Sequence, residues 1–589
     1  MATAAVRDPI AFELFKNSLT AIADEMALTI FRTTYSGVLK NGMDYSTAFC
    51  DARGQTVAQG LTQAGHLGAI PTAMASVMRH FGDHMQPGDV YCLNDPFDGG
   101  MHLPDIFVFK PIFYQGERLA IAATICHHTD VGGRVAGSNA SDSTEVYAEG
   151  LRIPVLKLYD AGRPNETLLK FIEKNVRLPV RVLGDLRAQL AACHIAEVEF
   201  LRLVDQYGAS TVELYMQELL DYTERLTRAA IRELPDGEFA FEDWIDDDGI
   251  DYRKPIPLRV RLRKDGDRLV ADWSGSSPQV KGAINSTLSY TKAATYTCVK
   301  SVLTAEIPNN EGFYRAIEVL APPGTIVNCV LPAATAARAL TAFRVVDCCY
   351  GALAMMLPDR VFAASEGGNT GITIGGYYAD RRPFIYVDFL CSAWGARPWA
   401  DGPSGNANMF SNLSLQPAEV CELENPIEIV TCELIQDVMG AGRWRGGASL
   451  RRDYRFLEEE AILQVRADRC TFRAYGLYAG RPGRLGVNVL NPETERRVLP
   501  GKLTMTIRHG DVLRHEMPGP GGWGDPLDRE PWRVLRDVRN EFVSLESARD
   551  DYGVVIDPAA WTVDSIATAE LRVQLRAARS WLEPPKVLR

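Results

Sequence analysis

The sequence predicts an α+β, multidomain protein with a mixed α/β N-terminal region, a β-rich second half and a helical C-terminal tail. Three observations carry this reading. A chain of 589 residues is longer than one hydrophobic core supports. Stretches of three-or-four-residue apolar spacing and stretches of two-residue alternation replace one another along it. Strong turn signals punctuate it, at Leu234-Pro235-Asp236-Gly237 and at Pro518-Gly519-Pro520-Gly521-Gly522. The units expected are 1–237, an N-terminal α/β region; 238–345, a β-rich middle region with a helix; 346–528, Gly-rich loops and a β-rich region; and 529–589, a helical tail.

Asp8-Pro9 offers an N-cap and a first-turn proline, and Phe12, Phe15, Leu19, Ile22, Met26 and Ile30 follow at helical spacing. Tyr45 to Cys50 and Gln55 to Ala58 read as short strands joined by a tight turn, and 71–80 reads as a helix. Val90 to Leu93, Ile106 to Tyr114 and Arg118 to Cys126 are strand-like. The last two flank Gln115-Gly116-Glu117 as a hairpin, with Pro111 marking an edge or a bulge. From 165 to 235 the spacing is helical, for example Leu214, Leu219, Leu226 and Ile231 with charges between them, and Tyr207-Gly208 supplies a break. Residues 240–285 alternate as strands, and 286–304 returns to a helix. The segment 345–415 is rich in Gly, Ser and Asn and reads as long connections or close-approach loops. Residues 446–515 alternate again, and the tail from 529 puts Trp532, Leu535, Val538 and Phe542 on one helical face.

Composition excludes several function classes. A net charge of -12 repels phosphate backbones and anionic membrane surfaces, so no nucleic-acid or membrane partner is expected. Mean hydropathy is -0.11 and no apolar run of membrane-spanning length stands out. The start, Met1 to Asp8, lacks the order of a signal peptide, so the compartment expected is the cytoplasm. The 12 cysteines form no CxxC pair and read as buried small hydrophobes. No GxxxxGK[ST] loop, GxSxG elbow or HExxH helix is present, and Gly440-Ala441-Gly442-Arg443-Trp444-Arg445-Gly446 misses the GxGxxG spacing.

Of nine histidines, six (His66, His80, His84, His102, His127 and His128) fall between 66 and 128. If Tyr114 pairs with Glu117 across the hairpin turn, His127 opposes Pro104 and comes beside Asp105 and His102. Two imidazoles and a carboxylate at one strand end suit a divalent ion, Zn²⁺, Mn²⁺ or Fe²⁺, with positions left open for water and substrate. Asp44, just ahead of another strand, is the candidate fourth ligand. His80 and His84 read as surface residues at a helix end, and on spacing alone His66 reads as structural.

These segments also carry a resemblance. Gly65-His66-Leu67-Gly68-Ala69-Ile70-Pro71, the run from Asn94-Asp95-Pro96 to His102-Leu103-Pro104-Asp105, and His127-His128-Thr129-Asp130-Val131-Gly132-Gly133 resemble motifs of the hydantoinase B family. So do Asn175-Val176-Arg177, Gly184-Asp185-Leu186, Ser274 to Gln279, Glu424-Asn425-Pro426, Gly521 to Pro526 and Asp551 to Val555, in the same order along nearly the whole chain. That family comprises beta subunits of ATP-dependent N-methylhydantoinase, caprolactamase and oxoprolinase, and is related to the metal-bearing acetone carboxylase subunit. The resemblance implies a hetero-oligomer with a hydantoinase A-type alpha subunit that binds ATP and phosphorylates a small cyclic amide. The activated carbon would then react at a divalent metal held by this chain. Carried over by position, the metal ligands are Asp44, His102, Asp105 and His127, and the catalytic candidates beside them are His128, Asp130 and His66. The missing phosphate loop fits a partner that owns the ATP.

Three other readings stay open at this point. The metal site could serve an ATP-dependent ketone carboxylase, joining phosphorylated bicarbonate to an activated ketone. The chain could be a non-catalytic scaffold for the ATP-using partner, or a metallohydrolase acting alone without ATP.

Overall fold

A computed structural model of the chain describes residues 8–578. The opening residues 1–7 and those beyond 578, including the end of the expected tail, lie outside the described residues. A seven-stranded antiparallel sheet organises the N-terminal region. Its strands are β1 (Tyr45–Asp51), β2 (Thr56–Gln59), β3 (Val90–Leu93), β4 (Asp105–Tyr114), β5 (Glu117–His127), β6 (Leu156–Asp160) and β7 (Arg163–Pro164), in the spatial order β2-β1-β5-β4-β3-β6-β7.

Because side chains alternate along a strand, the sheet feeds two cores. Ile106, Val108 and Cys126 join a core with the helices Pro9–Thr33, Pro179–Tyr207 and Ala209–Arg232. Phe107, Phe109, Ala123 and Ile125 join a second core with Ile70–Phe81, Leu288–Val302 and Ala339–Met356. A four-stranded sheet (Gly237–Ile245, Ile256–Asp265, Arg268–Asp272 and Ile317–Leu320) packs into that same second core, so the N-terminal sheet and the middle region share apolar interior.

The second half contains a four-stranded and a five-stranded sheet whose inner faces meet in a third core. Three helices, Pro531–Arg539, Leu545–Asp550 and Ser565–Ala577, close the described chain; the first two pack on a small core of their own. The architecture is thus α+β with several units, as the alternation of periods predicts.

Several details depart from the sequence expectation, each for a physical reason. The 345–415 segment is not only loop. It holds the end of the helix Ala339–Met356 and a hairpin, Thr370–Tyr377 with Pro383–Leu390. That helix is buried on nearly all sides, so its sequence shows no amphipathic period. It is also long and apolar enough to cross a membrane, and it serves here as a core helix carrying the buried pair Arg344 and Asp347. In the hairpin, glycine hides the strand pattern where backbones crowd: a Cβ at Gly375 would sit 2.4 Å from the Ala136 Cβ.

Leu214 is exposed, one position off the buried Tyr215 and Leu219 stripe. In the tail helix Trp532 is exposed, while Val534, Asp537 and Val538 face inward. The Asp537 carboxylate is held inward by Arg529 (2.6 Å) and Arg445 (3.2 Å), beside Val534 and Val538. Pro111 lies just past the pairing of β3, which reaches only Phe109, within a strand that is otherwise interior to the sheet.

Candidate metal centre

The hairpin β4–β5 begins in the expected register, Tyr114 opposite Glu117, but a bulge follows. Leu119 is the extra residue: Phe113 pairs with Arg118 and Ile112 with Ala120. The slip of one residue sets His127 directly opposite Asp105 rather than Pro104. On the other side, β1 pairs Tyr45 with Cys126, and the His127 amide donates to the Asp44 carbonyl at 3.0 Å. Asp44, His127 and Asp105 therefore form a row across the ends of three adjacent strands, on the face that turns to the middle region.

His102 joins them through a turn in which the Asp105 amide donates to the His102 carbonyl (3.1 Å). His66 comes from the short helix Ala64–Leu67 and is buried with the rest. One donor atom each from His102, Asp105 and His127 lie within 4.8 Å of one another. His102 Nε2 is 3.1 Å from Asp105 Oδ2, and His66 Nε2 lies 3.5 Å from Asp44 Oδ1 and 3.8 Å from Asp105 Oδ1.

Each member has a dedicated support. His102 Nδ1 is 2.9 Å from the Ala336 carbonyl, which fixes the proton on Nδ1 and leaves Nε2 with its lone pair. His127 Nε2 is 3.2 Å from the Asn139 side-chain amide. Gln63 donates to Asp44 Oδ1 at 2.7 Å, and Arg338 donates to Asp105 Oδ2 at 2.5 Å while stacking 4.4 Å over the Tyr290 ring. Arg338, Tyr290, Ala336, Asn139 and Gln63 escape sequence reasoning. The first three lie more than 150 residues from the strand ends they serve, and no local pattern marks them.

Burial pushes the imidazole of His66 down to about 3, and burial together with the Arg338 charge lowers His102. Burial, then the neighbouring His102, drives His127 well below its ordinary value. Neutral imidazoles are what a cation requires. Burial also works against the Asp105 charge, yet His102, Arg338 and His66 hold that carboxyl well below the usual range. Asp44 is pushed up to about 8 by burial and by the Asp105 charge beside it.

The buried atoms left without a hydrogen-bond partner include Gln63 Oε1, His66 Nδ1, His102 Nε2, Asp105 Oδ1 and His127 Nδ1. Orphaned lone pairs converging from histidine and aspartate, next to a second carboxylate burdened by its neighbour, fit a divalent cation. Asp44, His102 and His127 reach the wall of a cavity of about 50 Å³, several times what one water needs, whose other walls include Asn139, Phe389 and Arg466.

The remaining candidates lie apart from this cavity. His128 follows His127 along the strand and so points to the opposite face, where Nε2 meets Gln189 Oε1 at 3.1 Å. Asp130 accepts from the amides of Gly132, Gly137 and Arg177 and pairs with the Arg177 guanidinium at 2.8 Å, a loop-fixing role. His66 sits behind Asp44 and Asp105. His80 and His84 are exposed.

The hydantoinase B/oxoprolinase family description matches residues 8–526. The chain belongs to the hydantoinase B/oxoprolinase family. It is 32% identical over 96% of its length to the putative D-/L-hydantoinase B subunit of Pseudomonas sp. (strain NS671), covering 98% of that protein. It is 33% identical over 93% of its length to the caprolactamase beta subunit of Pseudomonas jessenii, covering 96% of that protein. Against 5-oxoprolinase 1 of Arabidopsis thaliana it is 29% identical over 89% of its length and spans 42% of that longer protein.

Among solved structures, the ATP-dependent caprolactamase from Pseudomonas jessenii superposes with a TM-score of 0.89 at 30% identity, covering 97% of this chain and 100% of that one. A nucleotide-free acetone carboxylase shares the fold, with a TM-score of 0.91 at 19% identity, over 98% of this chain and 84% of that one. As a hydantoinase B-type chain it thus stands with subunits of ATP-dependent enzymes that open cyclic amides.

Proposed function

We propose that this chain is the beta-type subunit of an ATP-dependent cyclic amide hydrolase, opening a hydantoin, lactam or oxoproline ring with a hydantoinase A-type partner that binds ATP. The observation that carries the reading is the buried His102, Asp105 and His127 cluster with its unpartnered lone pairs, in a chain alike over nearly its whole length to a caprolactamase beta subunit.

Asp44, His102, Asp105 and His127 would hold the divalent ion, Zn²⁺, Mn²⁺ or Fe²⁺. Bound there, it would supply Lewis acidity toward a substrate oxygen and a water of lowered pKa. The protein's own groups prepare that chemistry. Ala336 and Asn139 set the two imidazoles, and Gln63 and Arg338 set the two carboxylates, so little reorganisation remains when substrate arrives. Tyr290, Phe343 and Phe389 give the cavity apolar walls that limit competing water. His66 Nε2 lies near both carboxylates, 3.5 Å from Asp44 Oδ1 and 3.8 Å from Asp105 Oδ1. The ATP requirement fits the absence of a phosphate-binding loop in this chain.

The test is ATP turnover by the chain co-expressed with its hydantoinase A-type partner, comparing a panel of cyclic amides with ketones plus bicarbonate. The expected result is stimulation by an amide in the absence of bicarbonate. Turnover that requires ketone and bicarbonate would replace this reading with the carboxylase one, and amide hydrolysis by the isolated chain without ATP would remove the partner from it.

A further inference from the structure

Arg466 ends the strand Glu460–Arg466 and lies in the wall of the same cavity as His102 and His127. Its Nη1 donates to the Asn139 carbonyl at 3.0 Å and to Thr373 Oγ1 at 3.1 Å, while Nη2 is buried with no hydrogen-bond partner. The guanidinium lies 5.9 Å from the centre of the Phe389 ring, which packs edge-on against His127 at 5.4 Å. The neighbouring strand makes room for it: a Cβ at Gly371, its partner in the ladder, would come within 2.4 Å of Nη2.

Arg466 differs from the other deeply buried arginines in its charge balance. Arg338, Arg344, Arg445, Arg452, Arg469 and Arg529 each have a carboxylate within ion-pair distance. Among the described residues Arg466 has none, and its neutral partners leave a full positive charge uncompensated in the interior. A buried guanidinium without a counter-ion is costly, and that cost falls when an anion arrives. The fork of a guanidinium matches the oxygens of a phosphoryl group, and in a dry site the charge-assisted hydrogen bond is strengthened.

We infer that Arg466 is the anchor of an anion subsite beside the metal centre that receives a phosphoryl oxyanion through Nη2. This rests on the reading that the chain works on a substrate phosphorylated by its partner. Two sources share the chemistry, the phosphoryl group still carried on the activated substrate and the inorganic phosphate it leaves behind. Arg466 binds and orients; no bond-breaking step is assigned to it.

The test titrates inorganic phosphate and methyl phosphate into the full chain loaded with metal, by calorimetry, for the unchanged protein, R466Q and R466K, with metal content measured on each. The expected result is binding that R466Q weakens at least about 10-fold at unchanged metal content, with partial recovery in R466K. Tighter binding of methyl phosphate would point to the substrate-borne group, and tighter binding of inorganic phosphate to the product. G371A provides a second variant, since its methyl displaces the guanidinium without removing the charge, and it should weaken phosphate in the same direction. Phosphate binding equal in R466Q and the unchanged protein, or none in the unchanged protein, would overturn the inference. That failure is separable from failure of the proposed function: the subsite falls on phosphate affinity alone, whereas the amide reading falls on which substrates stimulate ATP turnover.

Discussion

Two buried ionic clusters in this molecule are built from similar residues and differ in what is left unpaired. In one, Arg344 reaches Asp243 (2.5 Å), Asp347 (2.9 Å) and Asp468 (3.3 Å), Arg469 reaches Asp347 (2.7 Å), and Lys502 reaches Asp468 (3.0 Å). This network ties the middle sheet and the helix Ala339–Met356 to the C-terminal strands, with cations and carboxylates interleaved. In the other, at the ends of β1, β4 and β5, burial lowers three histidines, Arg338 pairs with Asp105, and His102 Nε2, His127 Nδ1 and Asp105 Oδ1 have no hydrogen-bond partner. Burial alone therefore does not separate a structural cluster from a ligand site. The separation comes from which atoms are left and where: the unpartnered atoms of the Arg344 network, Arg344 Nε, Asp468 Oδ2 and Arg469 Nε, belong to groups already ion-paired with one another, whereas the histidine cluster leaves ring nitrogens and a carboxylate oxygen beside a cavity.

If that distinction is right, the two clusters respond differently to the loss of one member. Asp347→Ala strands Arg344 and Arg469 with too few partners and should destabilise the fold by about 3–5 kcal/mol, read by chemical denaturation, with no rescue by added metal. At the histidine cluster the stabilisation is conditional. Metal present at about 100 times its dissociation constant should raise stability by about 2.7 kcal/mol, a chelator should remove that gain, and His127→Ala should be insensitive to both.

A smaller effect is expected at the support of His127: Asn139→Ala should weaken metal about 10–100-fold, read by competition with a metal indicator, while the imidazole itself remains. Smallest is His128→Ala, which breaks the contact to Gln189 and should cost about 1 kcal/mol of stability with little change in metal content. A large loss of metal in His128→Ala would blur the boundary drawn between the two faces of β5.

The parts of this picture written locally were legible in the sequence. The helix Pro9–Thr33, the strands around Val90 and the hairpin up to His127 follow from apolar period and turn chemistry, and the hairpin alone brings His102, Asp105 and His127 near one another. The bulge at Leu119 was not legible, because nothing in Arg118-Leu119-Ala120 distinguishes the extra residue, and it shifted the pairing partner of His127 by one. The helix Ala339–Met356 and the hairpin from Thr370 stayed hidden for opposite reasons: the helix is apolar on every side, and the hairpin uses glycine where backbones crowd.

Arg338 and Arg466 could not be read from sequence at all. An arginine whose value lies in a contact more than 200 residues away looks like any surface arginine until the N-terminal sheet docks on the middle region.

The most direct test of the central claim is metal content measured alongside ATP-coupled amide turnover in the complex of this chain with its partner, for the unchanged protein and His102→Ala. The account predicts one divalent ion per chain in the unchanged protein, and loss of both metal and turnover in the variant at preserved fold. A His102→Ala protein that keeps its metal and still turns over would contradict it.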